Sequence, residues 1–188
     1  MIRRLFHLLA SLFLAFLVMY PITSLADGPI AIDAVEIDNS DNGYRLSASF
    51  SLELPRGLEE VLQRGIPLYF TTELEVSRPR WYWFDEKPIE STRTVRISYN
   101  VLTRQYSATL VGSLQQNVNS LEEALNLVRH PQHWIFAESG QLKAGETYFA
   151  AVRIQLDMSY LPKPFQINVI NNSSWRLSSE WKRFSFKA

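Results

Sequence analysis

The chain has 188 residues, with 19 Lys and Arg against 19 Asp and Glu, 3 His and no Cys. The missing thiols exclude disulfides and a lipid-modified N-terminal cysteine, and the zero formal charge gives no long-range pull toward nucleic acid or anionic lipid. Stability is left to an apolar core, which a composition of 46% hydrophobic residues can supply in one domain of this size.

Arg3 and Arg4 open the chain, and the run from Leu5 to Tyr20 is apolar apart from His7 and Ser11. Pro21 breaks the run, and Ser24-Leu25-Ala26 places small residues where a signal peptidase reads. This three-part layout predicts a secretory signal helix over residues 1–26 and a periplasmic product. The alternative is an uncleaved inner-membrane anchor facing the periplasm. A spanning helix needs about 20 apolar residues, and Leu5 to Tyr20 supplies 16 positions. Without Arg3 and Arg4, 17 basic side chains face 19 acidic ones, and residues 27–188 read as a single domain.

Ile30 to Asp38 and Tyr44 to Leu54 predict a hairpin around Asp38 to Gly43, a stretch rich in turn residues. In its second arm Tyr44, Leu46, Ala48, Phe50, Leu52 and Leu54 point one way, the period-two signature of a half-buried strand. Pro55 ends that strand. Arg56 to Arg64 predicts a short helix with Leu58, Val61 and Leu62 on one side and Gly65 at its C-terminal cap. Ile66 to Val76 alternates again, and Trp81 to Phe84 follows as a short aromatic run. Ile89 to Tyr99 and Gln105 to Ser113 predict a second hairpin joined by Asn100 to Arg104. Ser120 with Glu123 has capping-box spacing before an apolar stripe of Leu121, Ala124, Leu125 and Val128, and Pro131 stops this second helix. Tyr148 to Met158 is the strongest strand pattern: Arg153, Gln155 and Asp157 oppose its apolar face. The prolines at 162 and 164 cannot continue a central strand. Phe165 to Ile170 and Trp175 to Phe186 are further strand candidates.

These elements predict an all-β fold: an antiparallel β-sandwich, immunoglobulin-like, of about eight strands with two short helices. A curled sheet or open barrel is the second choice.

Four stretches also carry a resemblance. They are Trp81 to Lys87 (WYWFDEK), Ser98 to Tyr106 (SYNVLTRQY), Leu121 to Leu125 (LEEAL), and Val152 to Asp157 with Leu161 to Gln166 (VRIQLD and LPKPFQ). In this order they resemble an uncharacterised exported family of proteobacteria, domain of unknown function 4390, over nearly the whole mature chain. The resemblance implies an envelope role beside a membrane-bound nitrogen-regulation sensor kinase, near whose genes the family is found. It carries over no activity, cofactor or site residue.

Arg78 and Arg80 precede Trp81, Tyr82, Trp83 and Phe84, and this combination of residue types dominates binding hot spots. These six are the candidate interaction surface, against the alternative of aromatic core packing. His130 and His133 flank the helix-breaking Pro131, with no cysteine to complete a zinc site, and no metal is assigned to them. No GxSxG occurs, so a serine nucleophile has no local support. Glu73 and Glu75 share the outward face of a strand, while Asp85-Glu86 reads as a turn. Arg93 and Arg96 fall on opposite strand faces and form no basic patch. The proline-stiffened segment after Leu156 reads as protection of a sheet edge, with recognition as the alternative.

No catalytic, cofactor-binding or metal residue is therefore assigned. The chain reads as an exported, non-enzymatic interaction or accessory module. Its expected partner is an envelope or inner-membrane protein, with no nucleic acid, and it would touch the membrane only through an uncleaved signal segment. A small-ligand or glycan binder is the alternative, and requires a concave pocket lined by Trp or Tyr. A hydrolase would need a cleft holding His133 or two carboxylates in reach of each other.

Overall fold

The structure is a computed structural model that describes residues 29–78, 86–166 and 173–188. Residues 1–26, which the sequence reads as a signal helix, and Arg80 with the aromatic residues Trp81 to Phe84, lie outside the described residues.

The chain opens with the expected hairpin, β1 (Ile30–Ser40) and β2 (Gly43–Leu52). Tyr44, Leu46, Ala48, Phe50 and Leu52 are buried, while Ser51 on the opposite face is exposed. Gly43 begins β2 at φ +122°, a conformation open to glycine and strained for other residues. A β-carbon there would lie 2.1 Å from the Ala137 carbonyl oxygen, so the backbone approach itself depends on the missing side chain.

Helix α1 (Arg56–Gln63) follows Pro55 and buries Leu58, Val61 and Leu62. Gly65, at φ +86°, donates its N–H to the Leu62 carbonyl and closes the helix. Strands β3 (Leu68–Arg78), β4 (Glu86–Asn100), β5 (Gln105–Leu110) and β6 (Gln116–Val118) come next. In the β4–β5 turn the Asn100 Oδ1 accepts from the N–H groups of Leu102 and Thr103, at 2.9 and 3.2 Å.

Helix α2 (Leu121–Arg129) starts as its capping residues predict. Ser120 Oγ accepts the Glu123 N–H at 3.1 Å, and Glu123 Oε2 accepts the Asn119 N–H at 2.9 Å. Ser120→Ala is expected to cost about 1 kcal/mol, read as a lower denaturant midpoint at unchanged slope. Strand β7 (Trp134–Glu138), strand β8 (Thr147–Leu156) and strand β9 (Lys182–Lys187) complete the order.

All strand pairings are antiparallel. They form a three-stranded sheet in the order β1-β2-β7 and a six-stranded sheet in the order β6-β5-β4-β3-β8-β9. The two sheets enclose one core, with Leu46 and Phe50 from the smaller and Phe70, Leu74, Val76, Ile97, Val152 and Ile154 from the larger. Helix α2 packs on β2, β4 and β5 and buries Ala124, Leu125 and Val128. The expected antiparallel sandwich is therefore present.

Cationic side chains tie the layers to one another through backbone carbonyls. Arg129 donates twice to the Leu52 carbonyl, at 3.0 and 2.7 Å. Arg93 Nη1 donates to the Gln132 carbonyl at 3.2 Å. Lys182 Nζ donates to the carbonyls of Ile32 and Asp33, at 3.0 and 3.1 Å, where β1 carries a bulge.

Several elements differ from the sequence expectation. The described residues hold nine strands, in keeping with the expected number of about eight, but β6 and β7 have no counterpart in the sequence expectation. The strand proposed over Phe165 to Ile170 is replaced at its start by a helical turn over Lys163 to Gln166, and residues 167–170 lie outside the described set. Pro162 cannot donate to a ladder but its carbonyl accepts from Phe165 and Gln166, which favours the turn. The strand proposed over Trp175 to Phe186 is confined to Lys182–Lys187. Trp175 lies in a 3-10 turn (Ser173–Trp175), and Ser178 makes an isolated bridge to Gln155.

Candidate functional site

The outer face of the six-stranded sheet carries the most organised polar arrangement among the described residues. Alternation along β3 sends Glu73, Glu75 and Ser77 outward while Leu74 and Val76 enter the core. On β8 the outward residues are Phe149, Ala151, Arg153 and Gln155. Pairing aligns these positions into rows: Glu75 opposes Ala151, which opposes Arg183, and Ser77 opposes Phe149, which opposes Ser185.

Glu73 anchors one end. Its two carboxylate oxygens accept from Arg153 Nη2 and Gln155 Nε2, each at 2.6 Å. The Arg153 guanidinium in turn lies 4.6 Å from the centre of the Trp181 ring, a cation–π stack that fixes the indole over the sheet. Glu73 is thus not simply a solvated residue of a polar face, since its side chain is only 23% exposed beneath this cluster.

Next to the cluster the side chains shrink. Ala151 forms the floor of a notch of about 360 Å³, lined also by Glu75, Ser77, Phe149, Trp181 and Arg183. Phe149 stands at one end, 46% exposed, and Trp181 at the other. Phe149 and Arg153 are four residues apart on β8, so the open stretch spans roughly 13 Å of strand. The volume is that of a small-ligand site.

Two further concavities lie elsewhere among the described residues. At the flank between the sheets, Arg93, Leu110, Val111, His133, Trp134 and Ile135 line an open groove. Desolvation by burial pushes the Arg93 guanidinium below its usual range. Between the helices, Glu53, Glu59 and Glu122 surround Arg129. Arg129 Nη1 lies 2.6 Å from Glu122, and this hydrogen bond, with the charge behind it, holds the Glu122 carboxyl below its ordinary value. Its stabilising contribution is present at neutral pH and is lost as pH falls through that depressed value. At 74% exposure of the Glu122 side chain, the contribution is small.

Of the six residues of the expected interaction surface, only Arg78 is described. It pairs with Glu146 at 2.6 Å and opposes Glu86 at the end of the β3–β4 ladder. Arg80, Trp81, Tyr82, Trp83 and Phe84 lie outside the described residues. His130 caps α2, and His133 sits at φ +51° with its N–H on Ser47 Oγ. Among the described residues no three His, Asp or Glu side chains gather as metal ligands. Arg93 and Arg96 alternate to opposite faces of β4 as expected, with Val95 and Ile97 buried beside Arg93's side of the strand. The loop after Leu156 is built by Asp157, whose carboxylate accepts the Ser159 N–H at 2.9 Å. It also stacks Tyr160 on Tyr69 at 4.2 Å between ring centres. No described helix is long and apolar enough to cross a membrane.

The residues of the notch were not singled out from sequence as a group. Phe149, Ala151, Trp181 and Arg183 lie far from Glu75 and Ser77 in the chain, and strand register alone unites them.

One family model matches the chain, over residues 27–185, and is described as a domain of unknown function (DUF4390). No curated protein and no solved structure matches.

Proposed function

Because the chain belongs to this family, whose description names no chemistry, we propose its role from geometry: an exported, non-catalytic binding module of the cell envelope. The notch over Ala151 on the outer face of the larger sheet is its recognition site. The observation that carries this reading is a pocket with an aromatic ring at each end, set on rigid strands and bordered by Ser77, Glu75 and Arg183. Arg153, Glu73 and Gln155 hold Trp181 in place before any ligand arrives, which lowers the ordering cost of binding. The pattern at residues 1–26 supports export.

The test uses the full chain expressed in a bacterial host and purified from the periplasmic fraction. Intact mass reports whether the product starts at Asp27. Native mass spectrometry after exposure to envelope extract is expected to reveal a small-molecule adduct on the wild type that is absent from Ala151→Trp, whose new ring fills the notch. Circular dichroism of both proteins should be the same, since Ala151 faces outward. A protein retained in the cytosol, or identical spectra for both variants, would overturn the reading.

A second reading is an interaction module for another envelope protein. The exposed apolar side chains of Val111 and Ile135, at 58 and 47% exposure, support it at the flank groove.

A further inference from the structure

Resting on the binding-module reading, the geometry points to a ligand class for the notch: we infer that it takes a pyranose ring bearing a carboxylate, an acidic sugar. The argument starts from charge. Arg183 is exposed on the β9 side of the notch and makes no hydrogen bond or ion pair among the described residues. Glu75, across the floor in the same row, already has a partner of its own. Arg183 is thus the rim charge with no protein partner among the described residues, and a ligand that engages it supplies an anion. A carboxylate meets a guanidinium through two parallel N–H···O bonds, which sets orientation as well as strength.

Hydrogen-bonding capacity narrows the class further. On the β3 side the notch offers the Ser77 hydroxyl and the Glu75 carboxylate. A carboxylate has about four lone-pair sites, so Glu75 can accept from a ligand beside its existing partner, and the ligand edge facing it presents donors. Hydroxyl groups provide them; an aryl carboxylate has none. Apolar surface supplies the third constraint. Phe149 and Trp181 close the two ends and the Ala151 methyl forms the base. Those surfaces suit the C–H faces of a sugar ring. A hydroxyl-bearing edge, an anionic opposite edge and apolar faces coincide in a carboxylated pyranose.

The test is heteronuclear NMR on the isotope-labelled protein with D-glucuronate, N-acetylmuramate, D-glucose and benzoate as probes. Glucuronate or N-acetylmuramate is expected to shift the Ala151 and Arg183 amides and the Trp181 indole N–H, in a saturable way. The two acids place the carboxyl group differently on the ring, so whichever binds tighter identifies the kind of glycan. Arg183→Glu should weaken that binding by about tenfold or more, and Ala151→Leu should abolish it. Both substitutions sit on the outer face and leave the core signals in place. Equal shifts from glucose would overturn the carboxylate assignment, and equal shifts from benzoate would overturn the sugar. Silence from both sugar acids would overturn the inference as a whole. The envelope-extract adduct, read separately, would still decide whether the notch binds anything.

Discussion

Phe70→Ala is expected to destabilise the protein by about 3–5 kcal/mol. Phe70 is 1% exposed and sits on β3, the strand paired on both sides, opposite Val95 of β4 and Leu156 of β8. The backbone around it is fixed by two ladders and cannot collapse into the space the ring leaves. The lost burial and the residual cavity therefore add. Against a typical stability of about 5–15 kcal/mol, this is a large fraction. No disulfide exists to offset it. Urea unfolding should show a lower midpoint with the slope retained. Leu102→Ala is the matched control: Leu102 is 94% exposed at the β4–β5 turn, and its loss should change stability by less than about 0.5 kcal/mol. Similar midpoints for the two variants would mean that the core is placed wrongly.

Gly43→Ala should be nearly as damaging, for a different reason. The substitution buries no less surface. It forces a β-carbon to within 2.1 Å of the Ala137 carbonyl and 2.9 Å of the Glu138 backbone, at a φ of +122°. Both obstacles are main chain, so neither can rotate aside. Strain and displacement together should cost roughly 3 kcal/mol. The damage should concentrate where β7 meets β2, since Gly43 opposes Glu138 there. Amide exchange over Trp134 to Glu138 is expected to accelerate more than exchange over β8, which pairs with β3 and β9 instead. A uniform acceleration, or none, would contradict the close approach of the two backbones.

The parts of the fold legible in the sequence are those where one face is wet and the other dry. β2, β3 and β8 each lay one clean row of side chains into the core, so their period of two survives in the letters. β7 was hidden because its ladder with β2 is irregular between Tyr44 and Arg45, and adjacent residues Phe136 and Ala137 are both buried. β6 is three residues long, too short to show any period. Helix α2 was readable from Ser120 and Glu123 because capping is local chemistry. The notch was not readable, for the converse reason. Glu75, Ala151 and Arg183 become neighbours only through register between strands distant in the chain. Arg153 was recognised as outward-facing, but nothing nearby in sequence announces that Trp181 will cover it.

The Lys182 contact bears on how this domain behaves when crowded. β1 is 11 residues long and borders its sheet, the kind of strand on which further copies of a chain could stack into a cross-β fibre. Such growth needs an unbroken hydrogen-bond ladder. Here the ladder skips between Ile32 and Ala34, and an ammonium group from the opposite layer occupies the two carbonyls beside the skip. A newcomer strand would have to displace that charge and mend the register at once, so concentrated solutions should stay free of fibrils for as long as Lys182 remains in place.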